Sequence, residues 1–309
     1  MLRKTLLRLE NRLKDTQLKE VLISELKAAM ADKPEDVSED EFMSAAAAVL
    51  LYDLKMRTGQ LKTTVAPARI ADIQPSDCSQ IITRLVQEMQ RDLQQCNLQM
   101  IHALGCAIAE RDSGTAEHNF RVTIYAVRLA ERMKLPKQEI QSIIKGSYVH
   151  DIGKIGIRDG TLLKRGYLSP DEYEYIKEHV LLGVKIIKDV VWLEDAIDIV
   201  LYHHERWNGS GYLRGLRGTD IPLNARVFAI ADVFDSLTSK RPYKEALPFD
   251  VAYSALKNGR EVLFDPELLD NFLIIVGDVY GDISRKPYDQ LETDTRKLTG
   301  TYFDVNRAS

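Results

Sequence analysis

The sequence contains no convincing stretch longer than four residues in which apolar and polar residues alternate, the pattern of a half-buried β-strand. Apolar residues recur instead at spacings of three and four, as in Leu2, Leu6, Leu9 and Leu13. That spacing is typical of a helix that buries one face. The sequence therefore predicts an all-α protein.

The distribution of glycine divides the chain into two parts. Only Gly59 lies within the first 100 residues, whereas the other sixteen glycines fall between Gly105 and Gly300. Because glycine favours tight turns and weakens helices, we expect long helices in the first part and a compact domain with loops in the second. Residues 63–77 contain two prolines and no periodicity, so they are the best candidate for a linker.

Helices are predicted on both sides of this linker. Before it they cover residues 2–31 and 39–58, and after it residues 76–112, 116–135, 137–151, 194–204, 223–239 and 249–258. One further helix is indicated by Ser169, Pro170 and Glu172, which combine an N-cap, a first-turn proline and the acid of a capping box.

The helix predicted from Ser76 to Asp112 carries an apolar seam with alternating steps of four and three residues. The seam consists of Ile82, Val86, Met89, Leu93, Cys96 and Met100. Two interpretations remain open for so short a seam. In one, the helix packs within its own N-terminal bundle; in the other, it forms a parallel coiled coil that joins two copies of the chain.

Composition argues against several classes of protein. The net charge is −4 and no basic run stands out, so we expect no DNA or RNA partner. The longest apolar run, residues 45–52, is far shorter than the ~20 residues that a bilayer span requires, and the N-terminus lacks the apolar core of a signal peptide. Cys78, Cys96 and Cys106 form no CxxC pair, so we expect reduced thiols in a soluble, cytoplasmic protein.

Imidazole and carboxylate groups are concentrated in the second part of the chain. Five of the six histidines lie there, each on a predicted helix or at its end, and two aspartates accompany them. The set is His118, His150, Asp151, His179, His203, His204 and Asp232. A single buried histidine is usually a packing residue, but a buried carboxylate is costly unless it is paired or binds a metal. Seven such groups suit two first-row metal ions, so the sequence predicts a binuclear metal site.

Within this set, Asp151 is best suited to bridge the two ions. A carboxylate has two oxygens, whereas an imidazole ligates one cation, and paired ions in hydrolases stand about 3.5–4 Å apart. Adjacent helical residues point about 100° apart, so His150 and Asp151 converge only near a helix end. Gly153 is expected to supply that end.

Three segments carry a family resemblance: "HDIGKIGIRDGTLLK", "HHERWNGSGYLRGLRG" and "ARVFAIADVFDSLTSKRPYK". Together they resemble the HD-GYP family, phosphodiesterases of the HD superfamily that hydrolyse cyclic di-GMP in bacteria. The match covers roughly residues 98–285. The resemblance implies a helical metal-dependent hydrolase that opens cyclic di-GMP to pGpG, with GMP as the product of a second round.

The resemblance also implies roles for individual residues. One metal would be held by His118, His150, Asp151 and Asp232, and the other by Asp151, His179, His203 and His204. Iron or manganese suits such a set, with zinc as an alternative. Lys154 lies one turn beyond His150 and can neutralise charge on the phosphorane. Arg241 and Lys244 resemble the phosphate and guanine contacts of the family, and Asp235 is expected to orient a ligand.

The sequence departs from the family pattern at three positions. Leu213 replaces the proline of the GYP motif, and Val180 replaces the proline that usually follows the histidine at position 179. Gly114 stands where members with a third metal carry a glutamate. We therefore expect two metals, and we expect Leu213 to change the stiffness of the loop rather than ligation.

Four segments are predicted from these patterns: an N-terminal helical regulatory or dimerisation region (1–75), a connecting helix (76–112), the catalytic domain (98–285) and a C-terminal tail (286–309). The expected partners are cyclic di-GMP, a second copy of the chain and a signalling protein. Two alternatives to hydrolysis of cyclic di-GMP remain. In the first, the domain hydrolyses another cyclic dinucleotide, such as cyclic GMP-AMP. In the second, it is a scaffold that binds cyclic di-GMP without turnover.

Overall fold

The computed structural model describes residues 75–111, 116–164, 166–240 and 245–303, with side chains of the first helix at residue 87 and from residue 90 onward. The two helices predicted before Gly59 lie outside the described residues. So do Gly114, Arg241 and Lys244, together with most of the proposed linker.

Within the described ranges the fold is entirely helical, which confirms the predicted fold class. The α-helices are α1 (Pro75–Arg111), α2 (Ala116–Arg132), α3 (Lys137–Val149), α4 (Asp159–Leu162), α5 (Pro170–Lys177), α6 (His179–Ile187), α7 (Ile197–Tyr202), α8 (Leu223–Thr238), α9 (Phe249–Asn258), α10 (Pro266–Ile283) and α11 (Tyr288–Phe303). Three 3-10 segments, Ile152–Gly156, Val191–Ala196 and Gly218–Asp220, lie between them. None of these helices has both the length and the apolar character that crossing a bilayer would take.

Local sequence signals predicted the bounds of two helices to within one residue, and the cap of a third. Helix α9 has the predicted bounds, and α8 ends one residue before its predicted end. The capping box of α5 is present, because the Ser169 hydroxyl accepts from the Glu172 amide at 3.2 Å and the Glu172 carboxylate accepts from the Ser169 amide at 2.7 Å. Each of these predictions is confirmed.

Helices α10 and α11 were not predicted from the sequence. Helix α10 begins at an N-cap, where the Asp265 side chain accepts from the amides of Glu267 and Leu268. Helix α11 lies within the segment 286–309 that the sequence analysis treats as a tail, yet its Leu291 and Phe303 are buried in the core. The domain boundaries remain predictions, but residues up to Phe303 pack as part of the helical core.

Helix α2 is the centre of this core. It packs against α3, α8, α10 and α11, and Phe120, Val122 and Leu129 are fully buried along it. Tyr125 of α2 meets the ring of Phe234 in α8 edge to face, with centroids 5.2 Å apart. Because several helices cover α2, the first turn of α2 and helix α8 are held in fixed positions relative to each other.

The chain divides into two units between Leu93 and Gln94, within α1. In the second unit α1 buries Ile101 and Ile108 against the core. The described part of the predicted seam lies on a different face: Leu93 is 61% exposed, Met100 is 51% exposed and Cys96 is exposed. The described seam residues are therefore not part of the core of this chain.

The 3-10 segment after α3 packs tightly on the first turn of α6. A Cβ built on Gly153 would lie 1.7 Å from the carbonyl oxygen of His179 and 2.5 Å from the amide nitrogen of Gly183. No side chain fits there, so glycine is required for the close approach. This contact brings the start of α6 next to the end of α3.

We expect Gly153→Ala to lower the free energy of unfolding by about 3 kcal/mol, the upper end of the range for overpacking, because α6 must move away from the 3-10 segment. Gly160→Ala is the matched control, since its new methyl group would meet nothing within 4 Å. Urea unfolding monitored by circular dichroism measures both. Equal stability of the two variants would contradict the tight contact at Gly153.

Candidate metal centre

The fold brings the seven predicted ligand residues together at one site, in two groups. Asp151, His179, His203 and His204 form one group, and His118, His150 and Asp232 form the other. Within each group the donor atoms lie within 4.8 Å of one another. The two groups have the members of the two ligand sets that the family resemblance implies, except that Asp151 falls in only one of them.

Helix ends position most of these side chains. His150 is the C-cap residue of α3 and Asp151 follows it, so the end of this helix lets the two adjacent side chains converge. His179 is the first residue of α6, and His203 is the C-cap residue of α7. His118 lies in the first turn of α2, and Asp232 lies within α8.

Backbone carbonyls fix the tautomer of three imidazoles. Nδ1 of His150 lies 2.9 Å from the oxygen of Ser147, Nδ1 of His179 lies 2.8 Å from that of Ile176, and Nδ1 of His203 lies 2.9 Å from that of Ile199. A carbonyl oxygen can only accept, so each Nδ1 carries the proton. In the neutral ring the lone pair then lies on Nε2, which faces the site.

Two of these three Nε2 atoms have no hydrogen-bond partner. Nε2 of His179 and Nε2 of His203 are both buried and unpaired. A buried polar atom left without a partner costs about 1–3 kcal/mol. Nε2 of His179 also lies 3.3 Å from Oδ1 of Asp151, which places two acceptors face to face. A cation between them would remove both penalties, so the residues present fit a metal ion.

The carboxylate of Asp151 faces both groups. Its Oδ2 lies 3.1 Å from Nε2 of His150, which belongs to the group with His118 and Asp232. Its Oδ1 lies 3.3 Å from Nε2 of His179 and 3.9 Å from Nε2 of His203, which belong to the other group. One oxygen on each side is the arrangement that a bridging carboxylate requires.

Electrostatics keep the carboxylates ionised. Burial by itself raises the pKa of Asp151, but the charge of Lys154 holds that pKa well below its usual range. The pKa of Asp232 is likewise lowered, because the hydrogen bond from His118 outweighs burial. The site therefore carries two negative charges that suit a cation.

The paired imidazoles of His203 and His204 are neutral at pH 7. Burial is the main cause that lowers the pKa of His203 well below its usual value and that of His204 to about 3. His118 differs, because its hydrogen bonds to Asp232 and Asp235 outweigh burial and raise its pKa to about 9. A cation that binds Nε2 of His118 must therefore displace a proton.

Asp235 and Arg121 fix the ring of His118. Oδ2 of Asp235 lies 2.7 Å from Nδ1 of His118, which fits the orienting role predicted for Asp235. Arg121, which the sequence analysis missed, donates to the same carboxylate through Nε at 2.5 Å and also to the hydroxyl of Ser239 at 2.8 Å. Its position three residues after His118, on the same face of α2, was the available signal.

The predicted substrate-binding residues have different outcomes. Lys154 lies at the site, with its Nζ 2.6 Å from Oδ2 of Asp151. Arg241 and Lys244 fall outside the described residues, so their contacts stay predictions. Glu205, a buried carboxylate beside the paired histidines, was also missed by the sequence analysis.

Comparison with known proteins gives a family and several relatives. A family model described as an HD domain matches residues 102–268, more than half of the chain. A cyclic di-GMP phosphodiesterase of Thermotoga maritima is 34% identical over 68% of this chain and 57% of its own length. The cyclic di-GMP phosphodiesterase response regulator RpfG of Xanthomonas campestris is 40% identical over 62% of this chain and 50% of its own.

A relative with a different substrate also matches. The 3'3'-cGAMP-specific phosphodiesterase 2 of Vibrio cholerae is 36% identical over 59% of this chain and 35% of its own length. The chain thus spans less than two thirds of each of these three relatives. The family match covers the segment that carries the His/Asp site, which confirms the resemblance drawn from the motifs: the chain belongs to the HD domain family.

Proposed function

We propose that this chain is a metal-dependent phosphodiesterase that hydrolyses cyclic di-GMP. The observation that carries the proposal is the pair of His/Asp groups on either side of Asp151, in which two buried imidazole nitrogens lack a partner. Relatives named as cyclic di-GMP phosphodiesterases support the choice of substrate. The cytoplasmic location stays a prediction.

We further propose that the site holds two divalent cations, iron or manganese. His118, His150 and Asp232 would hold one, His179, His203 and His204 the other, and Asp151 would bridge them. Such ions would acidify a water molecule and neutralise phosphate oxygens. A set of imidazoles and carboxylates without thiolates suits these two metals.

In the proposed reaction a water oxygen attacks phosphorus, and the bond from phosphorus to the 3'-oxygen of the ribose breaks. The ring opens to pGpG, with one proton passing to the departing oxygen and one to solvent. Attack on the remaining phosphodiester would yield two GMP molecules. Lys154, whose Nζ lies beside Asp151, is positioned to neutralise charge at the phosphoryl group.

Recognition of the substrate is proposed to come from the segment after α8. Arg241 and Lys244 would contact phosphate and guanine edges, since such cationic side chains suit both. A second candidate substrate is 3'3'-cGAMP, because a 36% identical relative is named for it. The metal site would be the same, and only the contacts to one base would differ.

Turnover by the purified chain tests the function. With Mn²⁺, or with Fe²⁺ under anaerobic conditions, we expect cyclic di-GMP to be converted to pGpG faster than 3'3'-cGAMP is opened, as followed by liquid chromatography. Faster opening of 3'3'-cGAMP would favour the second candidate. Binding of cyclic di-GMP without any turnover would contradict the enzymatic proposal and favour a scaffold.

Substitutions of the ligands test the metal assignment. We expect two ions per chain by elemental analysis, and we expect Asp151→Asn to deplete both and to lower turnover at least 100-fold, because the bridge loses a charged oxygen. His204→Ala should deplete mainly one ion. Asp189→Asn, at an exposed carboxylate just beyond the C-terminal end of α6, is the control. Near-normal metal content in Asp151→Asn would contradict the bridge.

We also propose that two copies of the chain associate through the seam of α1, and that the region before residue 76 responds to a signalling partner. The exposure of Leu93, Cys96 and Met100 supports this, since an apolar seam on a helix surface suits a coiled-coil partner. The helix would then connect the N-terminal region to the metal site.

Light scattering should therefore report a dimer, and mild oxidation should crosslink Cys96 to its counterpart but leave Cys96→Ser uncrosslinked at this position. Substituting Val86 and Leu93 with glutamate should give monomers, because like charges would meet in the seam. Gln87→Glu with Gln95→Glu adds the same charge at exposed positions outside the seam and should stay dimeric. A monomeric wild type at high micromolar concentration would refute the association.

A further inference from the structure

The imidazole of His204 is held differently from the other four in the site. Each of those has Nδ1 within hydrogen-bond distance of a carbonyl or, for His118, of a carboxylate. Among the described residues no hydrogen bond is found to the ring of His204. Its ring instead stacks on that of Tyr212, with centroids 4.6 Å apart and planes 27° apart.

The backbone of the loop after the paired histidines places the Tyr212 ring. The Tyr212 amide donates to the carbonyl oxygen of His204 at 3.3 Å. A Cβ on Gly211 would lie 2.5–2.6 Å from backbone atoms of His204, Glu205 and Arg206. Glycine is therefore required for the loop to fold back directly onto the segment that bears the histidines.

Glu205 fixes the far side of the same loop. Its buried carboxylate accepts hydrogen bonds from three consecutive amides, those of Arg214 at 2.7 Å, Gly215 at 3.2 Å and Leu216 at 3.1 Å. Hydrogen bonds to an ionised acceptor are roughly twice as strong as neutral ones. The loop is thus attached to His204 just before position 213 and to Glu205 just after it.

The outer surroundings of Tyr212 complete its position. The ring of Tyr173 lies edge-on at 6.4 Å, and Nζ of Lys177 lies 5.5 Å from the Tyr212 centroid. A cation at this distance is attracted to the ring face. The tyrosine ring therefore has partners on α5 as well as on His204.

We propose that Tyr212 is a positioning residue whose ring orients the imidazole of His204 for metal binding, and that Glu205 holds the loop that presents this ring. This inference rests on the proposed metal site. It assigns the orienting function to the aromatic ring rather than to the tyrosine hydroxyl.

Mn²⁺ binding tests the proposal without substrate. In isothermal titration of metal-free protein, the binding phase lost in His204→Ala identifies the relevant ion. Tyr212→Leu should weaken that phase about 10-fold, the lower end of the effect of removing a group that orients a ligand. Tyr212→Phe keeps the stack and should bind within about 2-fold of the wild type. Equal affinities in the leucine variant and the wild type, or equal losses in both variants, would overturn the proposal.

Proton NMR of the metal-free protein provides a readout that does not depend on metal. A stacked ring shifts the imidazole protons of His204 upfield, and the signals are assigned with His204→Ala. The shift should persist in Tyr212→Phe and disappear in Tyr212→Leu. An unchanged spectrum in Tyr212→Leu would refute the stack. A wild-type protein that shows the stack but binds no Mn²⁺ would refute the proposed function, and with it the role of Tyr212 in metal binding.

Glu205→Gln tests the support beneath the loop. The amide group of glutamine replaces one acceptor oxygen with a donor, and this donor would face a backbone N–H. The loop should therefore loosen, and the Mn²⁺ affinity of the binding phase that depends on His204 should fall, as in Tyr212→Leu. Glu194→Gln, at an exposed glutamate, is the matched control. Unchanged Mn²⁺ affinity and an unchanged His204 shift in Glu205→Gln would remove Glu205 from the proposal.

Discussion

The carboxylate of Asp151, which is largely but not fully buried, is the group on which the arrangement of the site depends. Its Oδ1 lies 3.3 Å from Nε2 of His179, which is an acceptor in the neutral ring, and its Oδ2 lies 2.6 Å from the Nζ of Lys154. A buried charge without adequate partners costs several kcal/mol. The fold brings together groups that oppose one another until a cation lies between them, so metal binding and the stability of this region should be linked.

Carbonyl oxygens near the C-terminal ends of three helices explain how the ligands are oriented. The last carbonyls of a helix are not fully used by its own amides, and a carbonyl oxygen has two lone pairs, so it can accept from a side chain as well. Those near the ends of α3, α5 and α7 accept from Nδ1 of His150, His179 and His203 respectively. These carbonyls therefore set the tautomer of three imidazoles, and that of Ile199 does so while it also accepts from the His203 amide. His204, the next residue along the chain, has no such carbonyl, which is why a ring contact matters there.

The sequence predicted most of what depends on local signals. The all-α fold, the capping box at Ser169 and the bounds of α9 follow from residues close together in the chain. Helix α11 escaped prediction because polar residues, such as the buried Thr295 and Thr299, interrupt its apolar face. The seven ligand residues were found because their residue types are rare and cluster in motifs. Arg121 was not, since its partner Asp235 lies 114 residues away.

Hydrogen bonds hold the backbone on both sides of Leu213. From sequence, leucine in place of proline suggested a change in the stiffness of the loop. In the structure the amide of Tyr212 is bonded to His204, and the amide of Arg214 is bonded to Glu205, so the backbone is attached immediately before and after Leu213. Hydrogen bonds then restrict the loop where a proline ring would otherwise do so. A proline at 213 would duplicate a constraint that Gly211 and Glu205 already impose, which argues that the loop retains its role around His204 with leucine there.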